Sequence, residues 1–110
     1  MNVGVCKIIL RLYNPHNLKE KRKIVSSLCA KIRNRFEVSI AEVDNNDKWR
    51  LATVGISCVS NSNRQAERSL RTIVTYIEET RVDVEIVECD LEIISGFWSW
   101  KFSDIINGGY

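Results

Sequence analysis

The chain has 110 residues, the length of one domain, and its 45% hydrophobic and 27% charged residues are those of an ordinary globular protein. A formal net charge of +2 is close to balance, so the charge of the whole molecule indicates no particular partner. The sequence has no N-terminal signal pattern and no apolar run near the roughly 20 residues of a membrane span. We therefore expect a cytoplasmic protein with no membrane partner.

Four cysteines, Cys6, Cys29, Cys58 and Cys89, lie far apart in the sequence and form no C-x-x-C pair. Each occupies an apolar position of a predicted element, where a free thiol behaves as a small hydrophobic group. We expect structural thiols, with no cofactor and no metal. Three of them fall on strands predicted to be neighbours, which leaves a metal site as the alternative.

Residues 3–13 predict a half-buried strand, and residues 18–36 predict a helix. Apolar and polar side chains alternate through the first segment. Asn17, with Glu20 three residues later, has the spacing of a helix N-cap. Apolar residues then recur at helical spacing as far as Phe36, which gives this helix one stripe facing the core.

The remaining segments predict a hairpin, a second helix and a last strand. Alternation within residues 38–41 and 52–59 gives two strands, which are joined by turn-forming Asp and Asn side chains at 44–47. An apolar stripe over residues 66–77 marks the second helix. The last strand is predicted from about residue 82 to 94, with this set on its core face: Val87, Cys89, Leu91 and Ile93.

The element order β-α-β-β-α-β predicts an α+β, ferredoxin-like sandwich, with two helices on one face of a four-stranded antiparallel sheet. The last strand then lies beside the first. On the open face, Lys7 and Arg11 would face the acidic side chains of the last strand, Glu88, Asp90 and Glu92. We expect a single domain over residues 1–95 and an aromatic-rich C-terminal tail over residues 96–110.

Three segments have a distinctive sequence: Leu18-Lys19-Glu20-Lys21-Arg22 after the first strand, residues 36–43, and Asp47-Lys48-Trp49. They resemble the YlxP-like family of small bacterial proteins of unknown function, and the likeness extends over roughly residues 3–93. The resemblance implies a ferredoxin-like fold and transfers no catalytic residue. The genes of this family often neighbour those for translation initiation and ribosome maturation, which implies a role close to the ribosome.

The first predicted helix carries the most one-sided charge in the chain. Its basic side chains opposite the apolar stripe are Lys19, Arg22, Lys23, Lys31, Arg33 and Arg35. Such a face can dock on RNA phosphates, with an affinity that depends steeply on salt. The alternative is a solvated face that only keeps the protein soluble. We predict a non-enzymatic accessory factor, without catalytic residues, that binds RNA or the ribosome.

Lys21 differs from the other basic residues because it falls inside the apolar stripe. The topology brings it, with His16 and Asn17, to the end of the sheet at which the central hairpin turns. There the free N–H groups of a helix N-terminus make these three residues a candidate anion-binding site. The alternative, which we favour because the sequence has no glycine-rich phosphate loop, is a structural ion pair of Lys21 with Glu42 or Asp47.

The open face of the predicted sheet is the candidate protein interface. Its third strand offers no aromatic side chain there, which disfavours the base stacking of RNA-recognition modules. Apolar side chains assigned to this face suit a homodimer: Ile9, Tyr13, Val59, Val84 and Ile86. Trp98 and Trp100 of the tail are assigned to the same interface. The alternative functions are thus a protein-interaction and dimerisation module, or a small-anion-binding regulatory domain.

Overall fold

The computed structural model describes residues 1–96, and its elements follow the predicted order. They are β1 (Asn2–Leu12), α1 (Leu18–Arg35), β2 (Ser39–Asp44), β3 (Leu51–Ser60), α2 (Asn63–Thr80) and β4 (Val84–Ile94). The strands form one antiparallel sheet in the order β2-β3-β1-β4, so the last strand lies beside the first. The ferredoxin-like α+β fold is confirmed. Trp98 and Trp100, with the rest of residues 97–110, lie outside the described residues.

Both helices begin after an N-cap side chain, and the cap of α1 is the one predicted from the sequence. The side chain of Asn17 accepts a hydrogen bond from the Glu20 N–H at 2.9 Å, and that of Ser62 accepts one from the Gln65 N–H at 3.3 Å. Each bond satisfies one of the four N–H groups that a helix start leaves without an internal partner. The caps therefore fix where each helix leaves the preceding loop, and so which of its faces packs on the sheet.

The core lies between the two helices and one face of the sheet. It is built from alternate strand positions and the apolar helix stripes, chiefly Cys6, Ile8, Leu10, Leu12, Ala52, Val54, Ile56, Cys58, Val25, Leu28, Cys29, Ile32, Ala66, Leu70, Ile73 and Ile77. At Gly4 an added Cβ would lie 2.9 Å from Leu70 Cδ1, so α2 packs directly against the backbone of β1. Because both helices pack on this face, the opposite face of the sheet is open.

A β-bulge interrupts β4 where it pairs with β1. Ile9 pairs with Glu88 and Leu10 pairs with Ile86, so Val87 is an inserted residue without a partner. A single inserted residue reverses the alternation of side chains between the two faces of a strand. The segment before the bulge is therefore out of phase with the segment after it.

The bulge makes the predicted orientation of the start of β4 wrong. Simple alternation puts Val84 and Ile86 on the open face and Val87 on the core face. In the structure Val84 is 8% exposed and belongs to the core, Ile86 packs against that core, and Val87 is 46% exposed. Val84 and Ile86 are thus corrected from interface candidates to core residues. Beyond the bulge, Leu91 and Ile93 pack on the core side as predicted.

Candidate functional site

The N-terminal half of α1 presents three basic side chains around a shallow depression of about 590 Å³. Lys19, Arg22 and Lys23 are exposed, and the remaining lining residues are Ser26, Ser27 and Ala30. Spacings of three and four residues bring these side chains onto one helix face. Among the described residues, none of the three cations forms an ion pair. We name this group the cationic depression.

Two of the other basic residues of α1 are held by contacts with the rest of the fold. Arg33 Nη2 donates a hydrogen bond to the Ile40 carbonyl oxygen at 2.8 Å, which ties the end of α1 to β2. The guanidinium carbon of Arg35 lies 4.8 Å from the ring centroid of Tyr76 on α2, a cation–π contact. Both side chains remain exposed, but each has a structural partner.

Lys31, the sixth basic candidate, lies close enough to the start of β4 to act on the charge of Asp83. Asp83 forms a bidentate ion pair with Arg81, with hydrogen bonds of 2.9 and 2.6 Å. These hydrogen bonds are the main cause of the lowered pKa of Asp83, and the charge of Lys31 lowers this pKa further. Arg81 also donates to Ser27 Oγ at 3.3 Å. Ser27, which lines the cationic depression, is therefore linked by a hydrogen bond to the C-cap residue of α2.

α2 adds basic side chains that the sequence reasoning did not include. Arg64, Arg68 and Arg71 line a groove of about 560 Å³ between the helices, together with Arg35 and Tyr76. Their spacing of four and three residues, opposite the apolar stripe of α2, is visible in the sequence. Arg71 is paired with Glu67 at 3.4 Å, so this groove carries both signs of charge.

Opposite charges are separated between the two sides of the sheet. α1 carries seven basic residues against the single acid Glu20. β4 carries four acids and no base: Glu85, Glu88, Asp90 and Glu92. Since the last three share the open face with Lys7, the acidic side chains point away from the helices. The α1 surface is therefore the more positive part of the described chain and the β4 surface the more negative part.

Lys21 is fully buried and holds the turn between β2 and β3. Its ammonium Nζ lies 2.7 Å from Glu42 Oε2 and donates a hydrogen bond to the Asn45 carbonyl oxygen at 2.5 Å. Asn45 has a left-handed backbone with φ 61°, and its side chain donates to Thr53 Oγ1 at 2.7 Å. The ion pair with Glu42 is the structural alternative favoured from the sequence, and Glu42 rather than Asp47 supplies the carboxylate.

The other two anion-site candidates also contact groups of the chain itself. Asn17 caps α1, and the Glu20 carboxylate accepts a hydrogen bond from the His16 backbone N–H at 2.5 Å. The structure thus gathers His16, Asn17 and Lys21 at one end of the sheet, as predicted. However, two of these three residues already contact a carboxylate of the chain: His16 contacts Glu20, and Lys21 contacts Glu42. Each of these carboxylates occupies the place that an external anion would need.

A groove of about 760 Å³ crosses the open face of the sheet. Small residues of β2 and β3 line its centre: Ser39, Ala41, Gly55 and Ser57. Val43 lies over Gly55, where an added Cβ would be 3.1 Å from Val43 Cγ1. Val59 and Ile94 leave apolar surface exposed near one end of this face, at 68% and 42%. We name this surface the open-face groove.

The remaining interface candidates lie near the boundary of β1 and β4. Ile9 is half-buried, and Tyr13 is exposed and donates a hydrogen bond to Glu85 Oε2 at 3.0 Å. Lys7 lies 3.9 Å from Asp90, the cross-strand pair predicted from the sequence. Arg11 is paired with Glu85 at 3.3 Å and not with an acid beyond the bulge.

Comparison with known proteins gives the family. A family model described as "Protein of unknown function (DUF503)" matches residues 3–91. The chain belongs to the DUF503 family. It is 32% identical over 76 residues to the uncharacterized protein YlxP of Bacillus subtilis (strain 168), which covers 69% of this chain and 83% of YlxP. The YlxP-like resemblance is therefore confirmed over most of the chain.

Three further properties of residues 1–96 concern metal binding, membrane spans and the cysteines. They contain no group of three or more His, Cys, Asp or Glu side chains placed to hold a metal ion. Neither α1 nor α2, the helices of the described part of the chain, is long and apolar enough to cross a membrane. The four cysteines are free thiols, and burial raises the pKa of Cys29.

Proposed function

We propose that this DUF503 protein is a non-enzymatic, cytoplasmic accessory factor that docks on RNA through the cationic depression of α1. The observation that supports this is the grouping of Lys19, Arg22 and Lys23, which are exposed and form no ion pair with the described residues. Three like charges side by side repel one another and stabilise no contact of the fold. They are therefore better explained by an external polyanion than by stability.

The chemistry of the cationic depression suits the RNA backbone. An Arg guanidinium can bind a phosphate with two hydrogen bonds, and the Lys ammonium groups act as point charges. Ser26 and Ser27 supply hydroxyl groups of the kind that contact phosphate and sugar oxygens. Ala30 adds no bulk at the floor, so the backbone of a nucleic acid can approach closely. The ribosome is the RNA partner to test first, because the family resemblance implies a role near it.

Charge reversal at the depression should abolish RNA binding at moderate salt. We expect wild-type protein to bind ribosomal subunits and a structured ribosomal RNA fragment, with log K falling linearly as log salt rises. In the variant Lys19→Glu/Arg22→Glu/Lys23→Glu, the slope should decrease by roughly 2–3, because about 0.7–0.9 of slope is lost for each phosphate contact. Fluorescence anisotropy of labelled RNA over a KCl series measures the slope, and co-sedimentation with subunits measures ribosome binding.

A control variant with the same change of net charge separates a site from bulk attraction. Lys7→Glu/Lys48→Glu/Arg50→Glu changes three exposed bases outside the helices. The proposal requires that this control keep most of the wild-type affinity. Equal loss in both variants would show that binding follows net charge alone. Absence of wild-type binding at low salt would refute RNA docking.

We propose a second, independent role for the open-face groove, namely homodimerisation. Small residues line the centre of this face, and Val59 and Ile94 leave apolar surface exposed on it. A two-fold axis parallel to the strands and above the β3–β1 boundary would place β1 of one copy over β3 of the other, so that Val3 of each copy lies over Val59 of its partner. Such a symmetric contact also covers Val59 and the apolar lining of the groove.

Dimerisation through this face should depend on Val59. The change Val59→Glu places a carboxylate on an apolar part of the face and is expected to convert a dimer into a monomer. Val82→Glu is the matched control, because Val82 is 91% exposed and precedes β4. Analytical ultracentrifugation gives the masses. A monomeric wild type at every concentration, or a Val59→Glu variant that stays dimeric, would exclude this interface.

A further inference from the structure

We propose that Cys6 and Cys89 are a redox pair that a peroxide converts into a reversible intramolecular disulfide. Their sulfur atoms lie 3.6 Å apart, in van der Waals contact, so no other atom separates them. The two residues stand on adjacent antiparallel strands: Cys6 pairs with Leu91, and Cys89 pairs with Ile8. Since paired residues share a face, both thiols lie on the helix side of the sheet.

The two thiols differ in access to solvent, which gives each a distinct role. Cys89 is exposed on β4, an edge strand, whereas Cys6 is 3% exposed and belongs to the core. Burial raises the pKa of Cys6 to about 12, with smaller contributions from Cys89 and Asp90. A peroxide therefore reaches Cys89 before Cys6, because exposure governs which thiol is oxidised first. Cys6 is the resolving thiol.

The chemistry balances with hydrogen peroxide as the oxidant. The Cys89 thiolate attacks one peroxide oxygen, the O–O bond breaks, and the products are a sulfenic acid on Cys89 and a hydroxide ion. The Cys6 sulfur then attacks the Cys89 sulfur, the S–O bond breaks, and the Cys6 proton leaves with that oxygen as water. Two thiols are oxidised to one disulfide while the peroxide is reduced to water.

Bond formation requires a small movement of β4 towards β1. Diagonal neighbours in an antiparallel pair have Cα atoms about 7–8 Å apart, at or just beyond the range of roughly 4.4–6.8 Å that a disulfide spans. β4 can make this movement because it is hydrogen-bonded to β1 only, and because the bulge at Val87 lies two residues from Cys89. Asp90, Leu91 and Glu92 would move with it. Oxidation would therefore reshape the open-face groove that these residues line.

Peptide mapping of the full-length protein tests the proposal. Reduced protein is treated with hydrogen peroxide and then unfolded in denaturant, the remaining thiols are blocked with N-ethylmaleimide, and the peptides are identified by mass spectrometry. We expect one cross-linked pair, Cys6 with Cys89, while Cys29 and Cys58 carry the blocking group. Dithiothreitol should restore both thiols. The proposal would be overturned if Cys6 carried the blocking group while Cys89 was found as a sulfinic acid or in a disulfide between two molecules.

Variants identify the order of the two steps. Cys89→Ser should abolish the cross-link, and Cys29→Ala, the control, should retain it. In Cys6→Ala the sulfenic acid cannot be resolved, so dimedone should trap several-fold more adduct on Cys89 than in the wild type. An unchanged dimedone yield would refute the resolving role of Cys6. If Cys6→Ala fails to fold, the cross-linked peptide from wild-type protein still decides whether the disulfide forms.

Discussion

Glu42→Leu is expected to destabilise the protein by about 3–5 kcal/mol, because it leaves a fully buried ammonium group without its anionic partner. Lys21 is 0% exposed, and its Nζ lies 2.7 Å from Glu42 Oε2. The carbonyl oxygen of Asn45, at 2.5 Å, remains as an acceptor but cannot neutralise a full charge. Urea unfolding followed by circular dichroism gives the change in the free energy of unfolding.

The double variant Lys21→Met/Glu42→Leu should recover most of that loss. Replacing both members of a buried ion pair by apolar side chains of similar size is often neutral, whereas removing one member is costly. The carbonyl of Asn45 then loses its donor, which costs about 1 kcal/mol. Arg71→Ala removes an exposed pair on α2 and should cost less than about 1 kcal/mol. A Glu42→Leu variant no less stable than Arg71→Ala would show that the pair is not structural.

Lys21 illustrates which part of a buried contact the sequence can supply. Its distance of four residues from Val25 places it in the apolar stripe of α1, so its burial follows from helical periodicity. Its partner could be narrowed only to Glu42 or Asp47, since both lie near the hairpin. The choice depends on the left-handed backbone of Asn45 and on the β2 irregularity beside Glu42, which are set by contacts across the hairpin.

The basic helix face shows a similar division between local and tertiary information. Charge and periodicity predicted that α1 presents six basic residues to solvent, and all six are exposed in the structure. Three of them line the cationic depression, namely Lys19, Arg22 and Lys23. The sequence alone could not separate these from Arg33 and Arg35. The groups that engage those two, the Ile40 carbonyl and the Tyr76 ring, belong to other elements and meet α1 only in the folded protein. The proposed RNA contact is therefore narrower than the predicted face.

The order of the elements was accessible from the sequence because each helix and strand has a long, regular pattern of apolar residues. The orientation of the start of β4 was not accessible. A bulge adds one residue without any change in composition, and Val84, Ile86 and Val87 are equally apolar on either side of it. Only the pairing of β4 with β1 shows that Val87 is the inserted residue. Two valines on this sheet, Val84 and Val59, can therefore test the bulge.

Val84→Glu is expected to destabilise the protein by about 3 kcal/mol or more, whereas Val59→Glu should change the stability of the monomer by about 0.5 kcal/mol or less. The substitution is the same, but Val84 is 8% exposed in the core and Val59 is 68% exposed on the open face. Urea midpoints and near-ultraviolet circular dichroism of the two variants measure the difference. Without the bulge, alternation would put both valines on the open face and the two variants would be equally stable. Equal stability would therefore contradict the bulge and place Val84 on the open face, whereas a large difference supports the bulge and the core position of Val84.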